Sequence, residues 1–246
     1  MEKKSLSTTR KRRHWAPYGF LLPSIVTILV VILVPTILAI YTSLNDVNLT
    51  TDGGRYHFVG LSNFFNLFSD PRFYNSLRVT GLYVSGCVIL ETLFGLAIAL
   101  FLNRRFTGKS VFRTMMIMPM FVTPVVAALS WRMFYDPTSG MINYFLGAFG
   151  FGNKLVWLGD PVLALPSVII TDLWQSTPFM ILVILAGLNA LPTEIYEVAH
   201  SDGASELQCI RHITLPLMVP TILVAVFFRV IDALKSFDLI WVMTRG

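Results

Sequence analysis

Long apolar runs constrain the fold of this chain more than any other feature. Residues 19–41 form an uncharged run of 23 residues. As a helix rising about 1.5 Å per residue, this run exceeds the bilayer hydrocarbon core of about 30 Å. Further apolar stretches cover residues 79–102, 114–133 and 162–188. The fifth, residues 217–243, starts with the uncharged run 217–228, which is too short to span a bilayer and must therefore continue through charged positions. Because a backbone in lipid must satisfy its polar groups internally, we predict that all five stretches are helices. The expected fold class is an all-α, polytopic membrane helix bundle.

The composition agrees with a membrane protein and excludes other classes. Charged residues make up 13% of the chain and hydrophobic residues 54%, whereas a soluble domain carries about 25% charged residues. Too little polar surface remains for a soluble enzyme, and disorder requires the opposite balance of low hydrophobicity and high charge. Two cysteines exclude a disulfide scaffold and a cysteine-rich metal site.

Basic residues are concentrated in two segments. The N-terminal tail, residues 1–17, has six Lys/Arg, and the loop 103–113 has four and no acid. The positive-inside rule therefore predicts that both are cytoplasmic, with residues 18–246 forming the transmembrane domain. Alternation of the spans then puts the 191–216 loop in the cytoplasm too, although Arg211 is its only Lys/Arg. The net charge of +5 thus reflects Lys/Arg that lie mostly in these two segments and set the orientation, and no nucleic-acid partner is expected.

Motifs for catalysis and cofactor binding are not recognisable in the sequence. Residues 107–110, Thr-Gly-Lys-Ser, resemble the end of a P-loop, but Asn103 stands where that pattern needs glycine, and a membrane span precedes it. The four histidines lack metal-ligand spacing, and no Ser/His/Asp or paired-carboxylate set is apparent. We therefore expect this chain to have no ATP site, catalytic residue, metal or cofactor of its own.

The 191–216 loop carries the most specific pattern. Pro192-Thr193-Glu194 predicts a helix start with Thr193 as the cap, and Gly203 can adopt the left-handed conformation that ends a helix. Ser205-Glu206 can open a second short helix, which Pro216 closes before the fifth span. The predicted product is a helix, a glycine turn and a second helix on the inner membrane face.

The charges of this loop favour a protein partner over the lipid surface. An amphipathic hairpin lying on lipid usually presents Lys/Arg on its polar face, whereas this loop has four acids and one Arg. Small and apolar residues beside those acids suit docking into a groove on a partner.

The same loop resembles the EAA motif of ABC-importer permease subunits. That motif combines Glu-Ala-Ala, a glycine after three further residues, and Ile-x-Leu-Pro after another nine residues. The matching residues here are Glu197, Val198, Ala199, Gly203, Ile213, Leu215 and Pro216, of which Val198 is the one departure. Similarity to carbohydrate-importer permeases of the maltose or glycerol-phosphate type extends over roughly residues 15–246.

The resemblance implies a type I ABC-importer permease fold and a division of tasks among subunits. The chain would not be an enzyme but would form the translocation path for a sugar or related solute in a bacterial or archaeal cell membrane. Cytoplasmic ABC ATPase subunits would hydrolyse ATP, a second permease subunit would complete the path, and an extracellular binding protein would deliver the solute. The residues expected at the ATPase contact are Glu194, Glu197, Ala199, Asp202, Gly203, Ile213, Leu215 and Pro216.

Relatives usually have six core spans, and five are predicted here. In those relatives a Met-Thr stretch like Met243-Thr244 runs on into a final helix. We therefore hypothesise that the sequence is truncated at its C-terminus, after Gly246.

Charges inside the spans indicate where a solute could pass. Fixed charges in a membrane are costly and tend to face a bundle interior or a wet cavity. The charged positions are Glu91, Asp172, Arg229, Asp232, Lys235 and Asp238. Because sugars bind to aromatic faces and hydrogen-bonding side chains, the candidates for the substrate path are Trp174, Gln175, Asp232, Lys235 and Asp238. The alternative is that the charges from Arg229 to Asp238, alternating in sign every three residues, simply neutralise one another.

Two other classes of protein stay open at this point. A self-contained secondary carrier or channel would work without an ATPase and usually has broken helices in matching halves. A membrane enzyme or scaffold would carry a reactive set of residues at one membrane face.

Overall fold

The computed structural model describes residues 7–47, 53–104, 106–150 and 155–245, and for residues 7–17 it describes the backbone alone. The described chain is mainly helical, which confirms the predicted all-α class. It divides into two compact units that meet within one long helix, between Ser76 and Leu77.

The first unit contains the first predicted span. Helix α1 covers Ser7–Ser43, so part of the predicted tail, residues 1–17, has helical backbone. Every side chain from Tyr18 to Thr42 is exposed. A helix that is apolar on all sides and exposed along its length requires a lipid environment.

A short hairpin, which was not predicted, follows α1. Strand β1, Asn45–Val47, pairs antiparallel with β2, Tyr56–Phe58, and Asn45 lies opposite Phe58. The side chain of Asn63, in α2 (Ser62–Ser69), donates hydrogen bonds to the carbonyl oxygens of Ser43 and Asn45. This contact fixes the hairpin against the end of α1.

The second unit contains most of the remaining helices. These are α3 (Pro71–Asn103, which begins in the first unit), α4 (Lys109–Ile117), α5 (Pro124–Phe134), α6 (Met141–Ala148), α7 (Ala164–Asn189), α8 (Thr193–Ser201), α9 (Glu206–Cys209), α10 (Leu215–Leu234) and α11 (Asp238–Thr244). Helix α7 coincides closely with the predicted stretch 162–188. Helix α3 contains the predicted stretch 79–102 and is longer at its N-terminal end.

The third predicted span, residues 114–133, is not one helix. Helices α4 and α5 meet at an angle of 100°, with a 3₁₀ turn over Met118–Phe121 between them. Thr123 is extended because the ring of Pro124 disfavours helical backbone at the preceding residue. Pro119 and Pro124 lie within this stretch, and the structure shows a complete break of the helix there.

The fifth predicted span, residues 217–243, is also wrong as a single helix. Continuous helix runs from Glu206 to Leu234, including a π-helical segment over Ile210–Thr214. The backbone leaves the helix at residues 235–237, and α11 begins separately at Asp238. The expected extension through the charged positions is unnecessary, because the helix gains its length at the N-terminal end instead.

Small residues bring α3, α7 and α10 together. Ala99, Met180, Ile184 and Met218 are buried in one cluster shared by these three helices. A Cβ atom added at Gly95 would lie 2.6 Å from the Cβ of Met180, so only glycine permits this approach. A second cluster joins α3, α5, α7 and α11.

Candidate functional site

A cavity of about 820 Å³ lies beside α7 and α10, within the size range of sites that enclose a small solute. The 3₁₀ turn before α5, the break at residues 235–237 and the start of α11 complete its wall. Its polar lining consists of Asp172, Gln175, Ser176, Arg229, Asp232, Lys235, Ser236 and Asp238, and its aromatic lining of Phe179, Phe228 and Phe237.

The cavity brings together four of the five residues proposed from the sequence for the substrate path. Gln175, Asp232, Lys235 and Asp238 all line it. Helical spacing explains Asp232 and Lys235, which lie one turn apart at the end of α10. Asp238 joins them because the chain breaks and begins α11 in the same wall.

Trp174 is the residue that the structure does not bring to the cavity. Its ring packs edge-on against Trp131 with ring centroids 6.0 Å apart, and 40% of the residue is exposed. Its neighbour Gln175 points the other way and donates from Nε2 to the carbonyl oxygen of Val122 at 2.8 Å. Successive helical residues differ in direction by about a quarter turn, which separates the two.

A buried ion cluster forms part of the cavity wall and extends behind it to α3. The Arg229 guanidinium is 2% exposed and donates to both carboxylate oxygens of Glu91, with Nη2 to Oε1 at 2.9 Å. The same nitrogen also donates to Asp172. Glu91 belongs to α3, Asp172 to α7 and Arg229 to α10, so one cation joins three helices.

The charge pairing expected between neighbouring residues of α10 is present, but it is not the main pairing of Arg229. Arg229 Nη1 lies 3.2 Å from Asp232 Oδ2, and the Asp232 side chain is 75% exposed. The main partners of Arg229 are instead the buried carboxylates of Glu91 and Asp172, which are distant in sequence. Asp232 therefore presents its carboxylate at the cavity surface while one oxygen contacts the arginine.

Two hydroxyl groups extend the cluster to the break after α10. Tyr83 Oη donates to Asp172 Oδ2 at 3.0 Å and lies 3.1 Å from the Oγ of Ser236. Ser176 Oγ donates to the other Asp172 oxygen at 3.1 Å. Among the described residues, every buried side-chain nitrogen or oxygen has a hydrogen-bond partner. The buried charges are thus satisfied, which is the condition for retaining them in an apolar core.

Ligand atoms of Cys87, Glu91 and Asp172 lie within 4.8 Å of one another, as in a possible metal site. The guanidinium of Arg229 binds both carboxylates of this group. The guanidinium of the protein itself therefore pairs with both carboxylates that a metal ion would need as ligands.

The 191–216 loop folds as a helical hairpin. Helix α8 begins at Thr193, so Pro192 and not Thr193 is the capping position. Gly203 has φ +83°. Its N–H donates to His200 and the N–H of Ala204 to Ala199, which is the Schellman pattern that closes a helix with glycine.

The second half of the hairpin differs from the prediction. Helix α9 does not end at Pro216 but continues through the π-helical segment into α10. Pro216 lies in the first turn of α10, where a missing N–H is easily tolerated. The hydroxyl groups of Tyr196 and Thr214 are 2.9 Å apart and tie α8 to the π-helical segment.

The residues proposed for the ATPase contact fall into two groups by their exposure. Glu194, Glu197, Asp202, Gly203 and Pro216 are exposed, whereas Ala199, Ile213 and Leu215 are half-buried within the hairpin.

The sequence predicted small and apolar residues beside the loop acids but did not assign Val198 and Leu207 to the contact; the structure shows both exposed, at 62% and 74%. Sequence reasoning also overlooked Tyr83, Ser236, Tyr196 and Thr214, whose roles depend on tertiary contacts. The available signal was a polar group inside an otherwise apolar helix.

Apolar helices with satisfied buried charges beside a polar cavity define an integral membrane transport protein. The family model of the binding-protein-dependent transport system inner membrane component matches residues 91–245. The chain belongs to this family. It is therefore the permease subunit of an ABC importer, an inner membrane component and not an enzyme, which excludes the self-contained carrier and the membrane enzyme.

Similar proteins include a probable ABC transporter permease, y4oQ, of Sinorhizobium fredii, 40% identical over 92% of this chain and 73% of the relative. The trehalose/maltose transport system permease protein MalF of Thermococcus litoralis is 37% identical over 100% of this chain and 82% of the relative. The structure of a bacterial ABC transporter that imports alginate matches with a TM-score of 0.79 and 24% identity, covering 93% of this chain and 76% of that one. The fold is that of type I importer permeases.

Proposed function

We propose that the cavity beside α7 and α10 is this subunit's part of the translocation path, and that the solute is a sugar. The main support for this proposal is that four polar residues line one wall of the cavity: Gln175, Asp232, Lys235 and Asp238. Carboxylate, ammonium and amide groups can hydrogen-bond sugar hydroxyls, and Phe179, Phe228 and Phe237 offer apolar faces to a sugar ring. The relatives named for trehalose and maltose transport support this solute class.

Uptake kinetics test the cavity. We expect Asp232→Asn and Lys235→Met to lower trehalose uptake roughly tenfold, as the loss of one charged hydrogen bond does. The importer is reconstituted with its ATPase subunits, second permease and binding protein, and uptake is measured in proteoliposomes. Asp46→Asn, an exposed acid of β1, serves as the control. Unchanged uptake in both cavity variants contradicts the assignment of this wall.

The hairpin from α8 to the start of α10 forms the contact with the ATPase subunit in this proposal. Glu194, Glu197, Asp202 and Gly203 are at its surface, next to the exposed Val198. Ala199, Ile213, Leu215 and Pro216 fix its geometry from within or from its end. An acidic surface with exposed apolar side chains suits a groove on a protein better than an anionic lipid surface.

A single introduced cysteine tests this contact, because Cys87 and Cys209 are both buried. Val198→Cys should cross-link to the ATPase subunit, whereas Tyr144→Cys should not. Tyr144 is 75% exposed in α6. This helix lies between the third and fourth predicted spans, on the membrane side opposite to the 191–216 loop when the spans alternate. Equal cross-linking from both positions contradicts the proposed docking surface.

A cytoplasmic N-terminus completes the proposal. The basic tail and the basic 103–113 loop support it through the positive-inside rule. In intact spheroplasts, an impermeant thiol reagent should label Tyr144→Cys and leave Val198→Cys unlabelled until the membrane is opened. The reverse pattern means the opposite orientation.

A further inference from the structure

Tyr83 does not line the cavity, but its hydroxyl group joins two parts of the cavity wall. The residue is 3% exposed and lies in α3, behind α7 and α10. Its oxygen is 3.0 Å from Asp172 Oδ2 and 3.1 Å from Ser236 Oγ. Tyr83 has one hydroxyl hydrogen, which it donates to Asp172, so Ser236 supplies the hydrogen for the second bond.

Ser236 lies in the three-residue break between α10 and α11. Its neighbours Lys235 and Phe237 both line the cavity. The backbone N–H of Ser236 donates to Ala233, and its side chain adds the bond to Tyr83. The tyrosine therefore ties the break to a different helix.

A second connection reaches the same wall from the other side. Asp172 accepts from both Tyr83 and Arg229, and Arg229 contacts Asp232 at 3.2 Å. Asp232 and Ser236 flank Lys235. The buried cluster thus holds the wall on both sides of this lysine.

We infer that Tyr83 is a positioning residue for solute binding, acting through Ser236 and Asp172 on the wall that carries Lys235 and Phe237. This inference rests on the proposed role of the cavity. Removing the hydroxyl should loosen the break and weaken the solute contact. The ring would still fill its place in the hydrophobic cluster that joins α3, α5, α7 and α11, to which Tyr83 belongs.

Tyr135 provides a matched control. It is also 3% exposed, and its hydroxyl also bonds to α7, at the carbonyl oxygen of Ser167, 3.1 Å away. It does not line the cavity. A general loss of packing or of one buried hydrogen bond should therefore affect Tyr83→Phe and Tyr135→Phe alike.

The test measures solute protection of a cysteine in the cavity. Val224→Cys is suited to this, because Val224 lines the cavity, is 53% exposed and has no part in the ion cluster. In the assembled importer, a water-soluble thiol reagent modifies this cysteine, and trehalose carried by the binding protein slows the modification. We expect Tyr83→Phe to raise the half-protecting trehalose concentration about tenfold and Tyr135→Phe to leave it unchanged.

Equal behaviour of the two tyrosine variants overturns the inference and leaves the proposed path intact. Absence of protection in the parent Val224→Cys protein, in an importer that transports trehalose, contradicts the path itself, and the inference with it. Should Tyr83→Phe fail to assemble, Ser236→Ala removes the same hydrogen bond without touching the buried carboxylates. An unchanged half-protecting concentration in Ser236→Ala then overturns the inference.

Discussion

Arg229 of α10 and Glu91 of α3 form a two-pronged ion pair across 138 residues of sequence. Both side chains are almost completely buried, and Asp172 of α7 shares the same guanidinium. A buried charge of this kind is costly unless it is paired and hydrogen-bonded. The cluster therefore fixes how α3, α7 and α10 are arranged around the cavity.

Removal of the shared cation should destabilise the protein strongly. Arg229→Met leaves two buried carboxylates unpaired, and we expect a loss of about 3–5 kcal/mol in the free energy of unfolding. Combining it with Glu91→Gln and Asp172→Asn should recover part of that loss, because the unpaired charges are removed as well. Thermal unfolding in detergent measures both effects. Arg132→Met, at an exposed arginine of α5, should change stability by less than about 1 kcal/mol; equal losses in the two single variants contradict the role of the cluster.

The contact of α3 with α7 at Gly95 should tolerate no side chain. A Cβ there meets the Cβ of Met180 at 2.6 Å, so Gly95→Ala must push the helices apart, at about 1–3 kcal/mol as in an overpacked core. Gly81 lies in the same helix, and a Cβ there meets nothing within 4 Å. Gly81→Ala should therefore be neutral or stabilising by up to about 1 kcal/mol. Thermal unfolding of the two variants distinguishes close packing from a general effect of alanine.

The left-handed conformation of Gly203 should matter for the coupling of ATP hydrolysis to solute uptake. Gly203→Val places a β-branched residue at φ +83° with strain of roughly 1–2 kcal/mol, whereas asparagine is the side chain best tolerated there. We expect Gly203→Val to retain ATP hydrolysis and lose most uptake, and Gly203→Asn to retain both.

Gly108 provides the control for this prediction. It has φ +87° and lies at the start of α4, outside the hairpin. Gly108→Val carries the same strain and should leave the ratio of uptake to ATP hydrolysis unchanged. A fall in that ratio for both valine variants means that the effect does not belong to the hairpin.

The turn after α5 should loosen in acid. Hydrogen bonds from Thr138 and Ser139 hold the pKa of Asp136 below its ordinary value. A lowered pKa in the folded state means that the carboxylate stabilises the turn above the unfolded pKa of about 3.9. This contribution is lost as the pH falls below that value toward the folded pKa. Hydrogen-exchange protection of the Thr138 and Ser139 amides should fall over this range, and the pH-dependent step should be absent in Asp136→Asn.

The sequence predicted those elements whose signal is local. Helix α7 could be predicted because residues 162–188 are apolar and long enough to span a bilayer. The glycine turn at Gly203 could be predicted because its conformational requirement belongs to one residue. Gln175, Asp232, Lys235 and Asp238 could be proposed because polar side chains inside an apolar span are costly.

The predictions that failed concern features that depend on contacts between residues distant in sequence. Pro119 and Pro124 indicate a kink, but they do not specify the 100° angle between α4 and α5. The break at residues 235–237 is held by Tyr83, which is 153 residues away in sequence from Ser236. For the same reason the pairing of Arg229 with Glu91 could not be predicted, although each charge was singled out.

The proposed solute path runs along the wall formed by α7, α10 and the break after α10. Its most direct test is the protection of Val224→Cys against a water-soluble thiol reagent in the assembled importer, with Tyr144→Cys as the control outside the cavity. In an importer that transports trehalose, we expect trehalose delivered by the binding protein to slow modification of Val224→Cys and to leave that of Tyr144→Cys unchanged. Modification of Val224→Cys at the same rate with and without solute, in an importer that transports trehalose, would contradict this path.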